Sequence, residues 1–238
     1  MTHTSGVIAG VDGCRSGWVV ATQAPNSGAC EIVVYRSVDA LFEALRDAAV
    51  VAIDIPIGLH DTTPRRADVE ARRFLGKRGS SVFPAPCRAA LAGESYEDAS
   101  ARSYAASGKR LSRQTFGILP KIRDVDRALR ATRAWADRVS EVHPETCFTL
   151  MNGGTPLQWS KKLAEGHDER LALLSPISRN AFACFRPQVT KSQVASDDIL
   201  DALAALWTAN RIARGEAHTF PSGSVEYDAH GLAMRIMA

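Results

Sequence analysis

Aspartate residues stand within or directly after apolar segments at three places in the sequence. Asp12 follows the apolar residues 7–11, and Asp54 lies inside the next long apolar run. Asp198 and Asp201 lie near the start of a segment with helical periodicity. Removing an ionised carboxylate from water is costly, so an aspartate beside a buried strand requires a partner or a function.

Helical periodicity places Asp198 and Asp201 on one side of the predicted C-terminal helix. At about 100° per residue the two side chains lie about 60° apart, and Ala202, Ala205 and Ala209 continue the same face. Small alanine side chains allow a helix to approach a sheet closely. We therefore expect this helix to bring its two carboxylates toward the strands that carry the other two aspartates.

Carboxylate oxygens are the hard ligands that hold Mg²⁺ or Mn²⁺ in proteins. Two such ions, about 3.5–4 Å apart, activate water and stabilise the leaving oxygen during phosphodiester hydrolysis. The pattern thus predicts a two-metal catalytic site with four aspartate ligands: Asp12, Asp54, Asp198 and Asp201. Glu145, which follows another predicted strand, is a fifth catalytic candidate. Each acid also has a structural explanation, because aspartates are common in turns and in the first turn of a helix.

Apolar periodicity predicts the elements that must position these acids. Strands are expected at residues 7–11, 18–22, 31–36, 50–55 and 139–142, and helices at 37–48, 168–174 and 197–213. Loops are expected at 76–88 and 108–117, and a hairpin within 225–237. Three antiparallel strands, a helix, a strand, an insertion, a strand and further helices form the order of a ribonuclease-H-like α/β fold with a mixed five-stranded sheet flanked by helices. A Rossmann fold would need alternating strands and helices from the start and a GxGxxG motif, which the sequence lacks.

The segment at residues 61–135 is helical in pattern and basic in composition. It contains 16 Lys and Arg residues against 8 Asp and Glu residues, whereas the whole chain has a net charge of +3. We predict a single domain over residues 1–238 with a basic helical insertion at about 60–135 that neutralises phosphates of DNA or RNA. The candidate nucleic-acid-binding residues are Arg65, Arg72, Arg73, Lys77, Arg78, Arg88, Lys121 and Lys161. Solvated arginines on a helical hairpin would explain the same excess of charge.

Length and composition exclude several classes of protein. A chain of 238 residues that is 45% hydrophobic and 23% charged can build a core and is neither disordered nor collagen-like. No apolar run approaches the roughly 20 residues that span a bilayer, and the polar residues 1–6 are unlike a signal peptide. The 5 cysteines are widely spaced and form no CxxC motif, which indicates thiols in a reducing compartment and no zinc site. We expect a cytoplasmic protein without a membrane partner, with Trp159 and Trp207 in its core.

Several motifs together resemble one family of unknown function. They are VIAGVDGCRSGWVVA (7–21), VAIDIPIGL (51–59), GSSVFPAPCR (79–88), FGILPKIRDVD (116–126), SEVHPETCF (140–148) and DDILDALAALWTA (197–209). They are similar to domain-of-unknown-function family 429 over nearly the whole chain, and the resemblance implies a ribonuclease-H-like nuclease. The motif DxxDALA at residues 198–204 is also similar to the last motif of RuvC-type Holliday-junction resolvases. This similarity implies that Asp198 and Asp201 are metal ligands beside Asp12 and Asp54.

The sequence leaves three functions open. The first is a nuclease that depends on Mg²⁺ or Mn²⁺ and hydrolyses phosphodiester bonds of DNA or RNA at the carboxylate cluster. The second is an actin-like or sugar-kinase-like ATP phosphotransferase, because GVDGCRSG (10–17) loosely fits a phosphate-binding turn. That alternative lacks a second Asp-Gly hairpin and a glycine-rich adenosine segment. The third is a non-catalytic nucleic-acid-binding protein of the same fold.

Overall fold

The chain forms two compact units. The computed structural model describes residues 6–24 and 29–238, so most of the polar segment on which the signal-peptide prediction rests lies outside the described residues. Unit 1 comprises Met1–Asp54, Arg138–His218 and Met237–Ala238. Unit 2 comprises Ile55–Asp137 and Thr219–Ile236, and thus contains the segment that is predicted to be a basic insertion.

Strands are concentrated in unit 1, and helices occur in both units. The strands are β1 (Ile8–Cys14), β2 (Gly17–Gln23), β3 (Cys30–Tyr35), β4 (Val50–Ile53), β5 (Val139–Glu141), β6 (Thr219–Phe220), β7 (Glu226–Tyr227), β8 (Ala233–Met234) and β9 (Ile236–Met237). The α-helices are α1 (Val38–Ala44), α2 (Arg66–Phe74), α3 (Tyr96–Ser107), α4 (Arg113–Ala131), α5 (Arg133–Ala136), α6 (Pro144–Met151), α7 (Ala164–Leu173), α8 (Pro176–Phe185) and α9 (Ser196–Ala213). Short 3₁₀ helices span Gly76–Ser81, Arg88–Ala92 and Arg186–Gln188. Within the described ranges, none of the helices is both long and apolar enough to cross a membrane.

A five-stranded sheet with the order β3-β2-β1-β4-β5 forms the centre of unit 1. β1 pairs antiparallel with β2, and β2 with β3, whereas the β1–β4 and β4–β5 pairs are parallel. This mixed sheet, flanked by helices, confirms the predicted ribonuclease-H-like α/β fold. Every residue of β4 is buried, as expected for an apolar central strand, whereas β3 lies at the edge and alternates between more and less exposed residues.

Helix α9 packs very closely against this sheet at Gly10. A Cβ atom at Gly10 would lie 2.0 Å from Leu206 N and 2.3 Å from Ala202 O, which is closer than non-bonded atoms approach. Glycine on the strand therefore permits the contact. The predicted alanine face of α9 supplies the matching surface, because Ala202, Ala205 and Ala209 are fully buried.

A buried ion pair organises the start of unit 2. Arg65 is 2% exposed, and its guanidinium donates to Asp68 Oδ1 at 2.5 Å and to Ile57 O at 2.9 Å. Asp68 Oδ2 accepts a further hydrogen bond from Ala85 N at 2.9 Å. The pair thus connects helix α2 to the loops on either side of it.

A second arginine connects more distant parts of unit 2. Arg88 donates to both carboxylate oxygens of Asp126, at 3.2 and 3.0 Å, and also to Asp228. Asp228 in turn accepts hydrogen bonds from Leu59 N at 3.1 Å and Leu232 N at 2.9 Å. Arg88, the last residue of the GSSVFPAPCR motif, therefore has a clear structural role.

The first hairpin of unit 1 differs from the sequence prediction. The prediction ends the first strand before Asp12 and places this residue in a turn, but β1 continues through Asp12 to Cys14. The ladder extends this far because Asp12 pairs with Val19 of β2, and the turn is limited to residues 15–16. Asp12 is therefore held inside a central strand.

Two predicted loops of unit 2 are helical over about half of their length. The expected loop at 108–117 is shorter, because Ser112 Oγ accepts a hydrogen bond from Thr115 N at 3.0 Å and caps helix α4. Gly117 therefore lies inside a helix. The expected loop at 76–88 contains a 3₁₀ helix. In both places the glycines suggested a break that capping and packing override.

The helices of unit 1 also differ from the prediction. Helix α6 begins at Pro144, three residues after the end of β5 at Glu141, so Glu145 lies in a first helical turn. Helix α8 was not predicted because its Pro, Ser and Asn residues are typical of loops. Ser175 caps it, and Pro176 stands at its first position, where proline is favourable. Helix α1 ends at Ala44 instead of residue 48, and α7 begins at Ala164 instead of residue 168.

Other predicted details are confirmed. Ser37 caps α1, since its Oγ accepts a hydrogen bond from Ala40 N at 3.2 Å. β7 and β8 pair antiparallel and form the C-terminal hairpin. All the cysteines lie in the described part of the chain, and none of them forms a disulfide bond.

The contact at Gly10 is open to a direct test. We expect Gly10→Ala to lower the free energy of unfolding by about 3 kcal/mol or more, because backbone atoms of α9 cannot move aside as a side chain can. Chemical denaturation followed by circular dichroism measures the change. The control is Gly117→Ala: within the described residues nothing lies within 4 Å of its added Cβ, so alanine should stabilise α4 by up to about 1 kcal/mol. Equal stability of Gly10→Ala and the wild type would contradict the close contact.

Candidate functional site

The first two predicted site residues lie on neighbouring parallel strands. β1 and β4 are aligned so that Val11 is opposite Ile53, and Asp54 N donates to Val11 O at 2.9 Å. Asp12 and Asp54 are the next residues along the two strands, so their side chains leave the sheet at the same end and on the same face. Asp12 is 8% exposed, and its Oδ1 accepts a hydrogen bond from Gly13 N at 2.7 Å.

Helix α9 brings the second pair of aspartates to this face. Asp12 lies two residues after Gly10 and shares its face, because side chains alternate along a strand. Asp201 belongs to the part of α9 that crosses Gly10, and it is 1% exposed. Asp198 lies one turn earlier, at the helix N-terminus, where its Oδ2 accepts a hydrogen bond from Ala195 N at 2.9 Å. The structure thus brings the four predicted aspartates together from two strands and one helix.

The four aspartates act on one another electrostatically. Burial, followed by the charges of Asp54 and Asp201, raises the pKa of Asp12 well above its usual range. Burial and then the charge of Asp201 raise the pKa of Asp54 to about 8. Burial likewise raises the pKa of Asp201, and burial with the charge of Asp197 raises the pKa of Asp198 to about 6. The four carboxylates therefore lie close together, and the positive charge near them is too small to stabilise all four in the ionised form.

A lysine from a nearby loop supplies part of the missing positive charge. Lys161 Nζ donates to Asp201 Oδ2 at 2.6 Å and lies 3.8 Å from Asp197 Oδ2. The charge of Asp201, with a smaller effect of Asp12, raises the pKa of Lys161 above its usual value, so its amine stays protonated. Lys161 was predicted to contact nucleic acid, and the structure places it against the carboxylate cluster.

Helix α7 holds the loop that carries Lys161. Glu169 accepts hydrogen bonds from two successive backbone N–H groups of this loop, the second of them that of Trp159 at 3.1 Å. A Cβ atom at Gly166 would lie 2.0 Å from Ser160 O, so α7 and the loop are in close backbone contact. These contacts fix the backbone beside Lys161, whereas the Lys161 side chain remains 39% exposed.

Glu145 reaches the site from α6 and is paired with a buried arginine. Arg170 of α7 is completely buried and donates to Glu145 Oε1, and to Gly166 O at 2.8 Å. The charge of Glu145 still contributes to the raised pKa values of Asp54 and Asp201. The sequence analysis missed Arg170, because one arginine in an ordinary helical pattern gives no signal that it is buried.

Three further residues near the site were missed or misplaced by the sequence analysis. Glu141 of β5 lies opposite Ile53 and contributes to the raised pKa of Asp54. Asp197 stands beside Lys161; its place next to Asp198 in the sequence was the available signal. Trp159 was expected in the core but is 42% exposed. Its loop position, with glycine, proline and polar neighbours, pointed to the surface.

The residues of the cluster fit a divalent cation in chemical type. Carboxylate oxygens are suitable ligands for Mg²⁺ or Mn²⁺. Asp201 Oδ1 is buried and has no hydrogen-bond partner among the described residues, so a cation would satisfy an otherwise costly group. In the conformation of the described residues, no group of three or more His, Cys, Asp or Glu side chains is already arranged around a metal position. These side chains would have to reorient before they could hold a metal ion together.

The predicted nucleic-acid-binding residues of unit 2 fall into two groups. Arg65 and Arg88 are engaged in the ion pairs described above, and Arg72 donates to Val82 O at 2.5 Å. These three arginines hold loops of unit 2 in place. The others are exposed or half-buried: Arg73, Lys77, Arg78 and Lys121.

The fold and the acidic cluster define the class of protein: an α/β protein with a ribonuclease-H-like sheet and aspartates gathered on one face. The chain belongs to the family described as protein of unknown function DUF429, whose sequence model matches residues 10–226. This match confirms the family resemblance. Searches of curated proteins and of solved structures found no significant match to the chain. The nuclease activity that the resemblance implies remains a prediction.

Crowding of the carboxylates makes stability depend on pH. Asp54 binds its proton more tightly in the folded state, with a pKa of about 8, than in the unfolded chain, where aspartate has a pKa of about 3.9. Folded protein is therefore favoured at low pH, and this contribution is lost as the pH rises from about 4 through 8.

We expect the stabilities of metal-free Asp54→Asn and wild-type protein to converge as the pH falls to about 4, where Asp54 is neutral in the folded state and about half neutral in the unfolded chain. By about pH 8 the variant should be more stable by on the order of 5 kcal/mol, since the folded and unfolded pKa values of Asp54 differ by about 4 and each tenfold change in proton affinity corresponds to about 1.4 kcal/mol. Urea denaturation with a chelator present measures the difference, and the exposed Asp47→Asn serves as control. A constant difference between pH 5 and 8 would contradict the raised pKa.

Proposed function

We propose that this protein is a nuclease that uses Mg²⁺ or Mn²⁺ to hydrolyse phosphodiester bonds of DNA or RNA. The observation that carries the proposal is the cluster of aspartates that two neighbouring strands and α9 bring to one face of the sheet. Desolvated carboxylates with strongly raised pKa values are typical of functional sites. A cytoplasmic location is part of the proposal and is supported by the cysteines, none of which forms a disulfide bond in the described chain.

The chain would hold the divalent ions with Asp12, Asp54, Asp198 and Asp201. When bound there, such ions lower the pKa of a coordinated water and stabilise the leaving oxygen of the phosphodiester. The β1–β4 ladder fixes the backbone of Asp12 and Asp54, and α9 fixes the backbone of the other two. The protein would thus supply oxygen donors from a fixed backbone on a desolvated surface, where electrostatic interactions are strong.

Glu145 completes the proposed catalytic set from α6. Its carboxylate acts electrostatically on Asp54 and Asp201, so it belongs to the same charge network. Arg170 is a positioning residue, because its guanidinium binds Glu145 and is itself anchored to Gly166 O. Pairing with Arg170 keeps one carboxylate of the set oriented while the others exchange partners.

Phosphate binding is the second requirement of the proposed function, because a cluster of acids repels a polyanion. Arg73 at the end of α2 and Lys77 in the following 3₁₀ helix are exposed. We assign to them sequence-independent contacts with phosphates, which Lys and Arg make by displacing condensed counterions.

The catalytic part of the proposal is tested with Asp12→Asn, which keeps an oxygen for the hydrogen bond from Gly13 N but removes a charge. We expect cleavage of single-stranded or duplex DNA or RNA with Mn²⁺ or Mg²⁺ to fall at least 100-fold, on the order of the loss of one catalytic group. Cleavage assays of separately purified preparations measure it, and the exposed Asp47→Asn should retain full activity.

Equal cleavage by the wild type and Asp12→Asn would show that any activity comes from a contaminant. Binding of nucleic acid without cleavage by the wild type would favour the non-catalytic alternative. Hydrolysis or transfer of ATP phosphate in place of nuclease activity would favour the phosphotransferase.

The binding part is tested by reversing two exposed charges with Arg73→Glu and Lys77→Glu. We expect weaker binding of all DNA and RNA sequences alike, and for duplex DNA a salt dependence flatter by about 1.8, because each lost phosphate contact removes about 0.9 from the slope. Fluorescence anisotropy across a salt series measures both. The control, Lys109→Glu with Arg110→Glu in the loop before α4, changes net charge equally. The same loss in both variants would refute a specific role for Arg73 and Lys77.

A further inference from the structure

Lys161 occupies the place in the cluster where a cation is needed. Its Nζ binds one oxygen of Asp201 at 2.6 Å and lies 3.8 Å from Asp197. It also interacts electrostatically with Asp12 and Asp54. A buried carboxylate that loses its cation is strongly destabilised unless it takes up a proton, so a positive charge beside Asp201 stabilises its ionised form.

The two carboxylate oxygens of Asp201 lie in different environments. Oδ2 accepts the hydrogen bond from Lys161, whereas Oδ1 is buried and, within the described part of the chain, lacks a hydrogen-bond partner. The ammonium group thus satisfies only half of this carboxylate. A divalent cation, with twice the charge and several ligand positions, would compete for the same side chain.

The Lys161 side chain can leave without a change in the backbone. Glu169 and Gly166 hold the loop from the side of α7. Beyond the backbone, Lys161 has a flexible four-carbon stem and is 39% exposed. Rotation of that stem is sufficient to move the ammonium from Asp201 to solvent or to another anion.

From this geometry we infer that Lys161 is an internal counter-ion that competes with divalent metal for Asp201 and is released when metal binds. This inference rests on the proposed metal site. The released ammonium stands beside the metal ligands and is free to bind a substrate phosphate. Metal binding therefore makes the ammonium group of Lys161 available to a phosphate. In the metal-free protein the same ammonium group stays bonded to Asp201.

Metal affinity in the absence of nucleic acid tests the competition. We expect Lys161→Met, which keeps much of the apolar stem and removes the charge, to bind Mg²⁺ at least 10-fold more tightly than the wild type in calorimetry at pH 8. Lys162→Met, which removes an exposed charge one residue away, should bind as the wild type does. If Lys161→Met binds equally or more weakly while the wild type binds well, the inference is overturned and the proposed metal site stands.

A second measurement uses the wild-type protein and does not depend on the variant folding. Acetylation of lysines, quantified by mass spectrometry with and without Mg²⁺, should be faster at Lys161 when metal is present, because its ammonium has left Asp201. Lys162 should react at the same rate in both conditions. No change at Lys161 under saturating metal would overturn the inference. Absence of Mg²⁺ and Mn²⁺ binding by both the wild type and Lys161→Met would overturn the inference and the proposed metal-dependent function together.

Discussion

The contact between Gly10 and helix α9 determines where the acids of the site lie. A helix usually packs on a sheet through side chains of both, which keep the two backbones apart. Here the strand offers no side chain and the helix offers alanines, so backbone atoms of the two elements meet. Asp12 comes two residues after Gly10, and Asp201 directly precedes Ala202, whose carbonyl oxygen takes part in the contact. One close approach therefore brings carboxylates from distant parts of the chain into the same desolvated space.

Desolvation is the cost that this arrangement imposes. Apart from the bond to Lys161, the fold gives Asp201 little compensation, and the proton affinities of its neighbours rise accordingly. Glu145 shows that the same fold can satisfy a buried acid, because the completely buried Arg170 pairs with it. One acid of this protein is fully paired, whereas the neighbouring acids are crowded and lack enough compensating charge. Such unfavourable local arrangements in an otherwise well-packed fold are common at functional sites.

The sequence predicted the sheet because its signals were local and strong. The apolar run of β4, the cap at Ser37 and the alanine face of α9 each follow from periodicity or capping chemistry. Asp12, Asp54, Asp198 and Asp201 were found because a charged residue in an apolar pattern is conspicuous. Arg170 and Arg65 were not recognised as buried, since each is satisfied by partners that only the folded chain brings near. Helix α8 and the length of α4 were missed for another reason: caps and tertiary packing overrode proline and glycine residues that favour a break.

The site has two parts that the fold holds differently: Asp12 belongs to the sheet, whereas Lys161 belongs to an irregular loop. Asp12 pairs with Val19 in the β1–β2 ladder, so we expect its backbone amide hydrogen to exchange with solvent only when much of unit 1 opens. The segment before α7 is irregular, and its attachment to α7 consists of a few side-chain and backbone contacts. Rotation of the Lys161 side chain away from Asp201 would expose the carboxylates while the sheet and the loop backbone stay in place. The part of the site that the sheet holds is thus anionic, and its neutralisation depends on one side chain from an irregular segment.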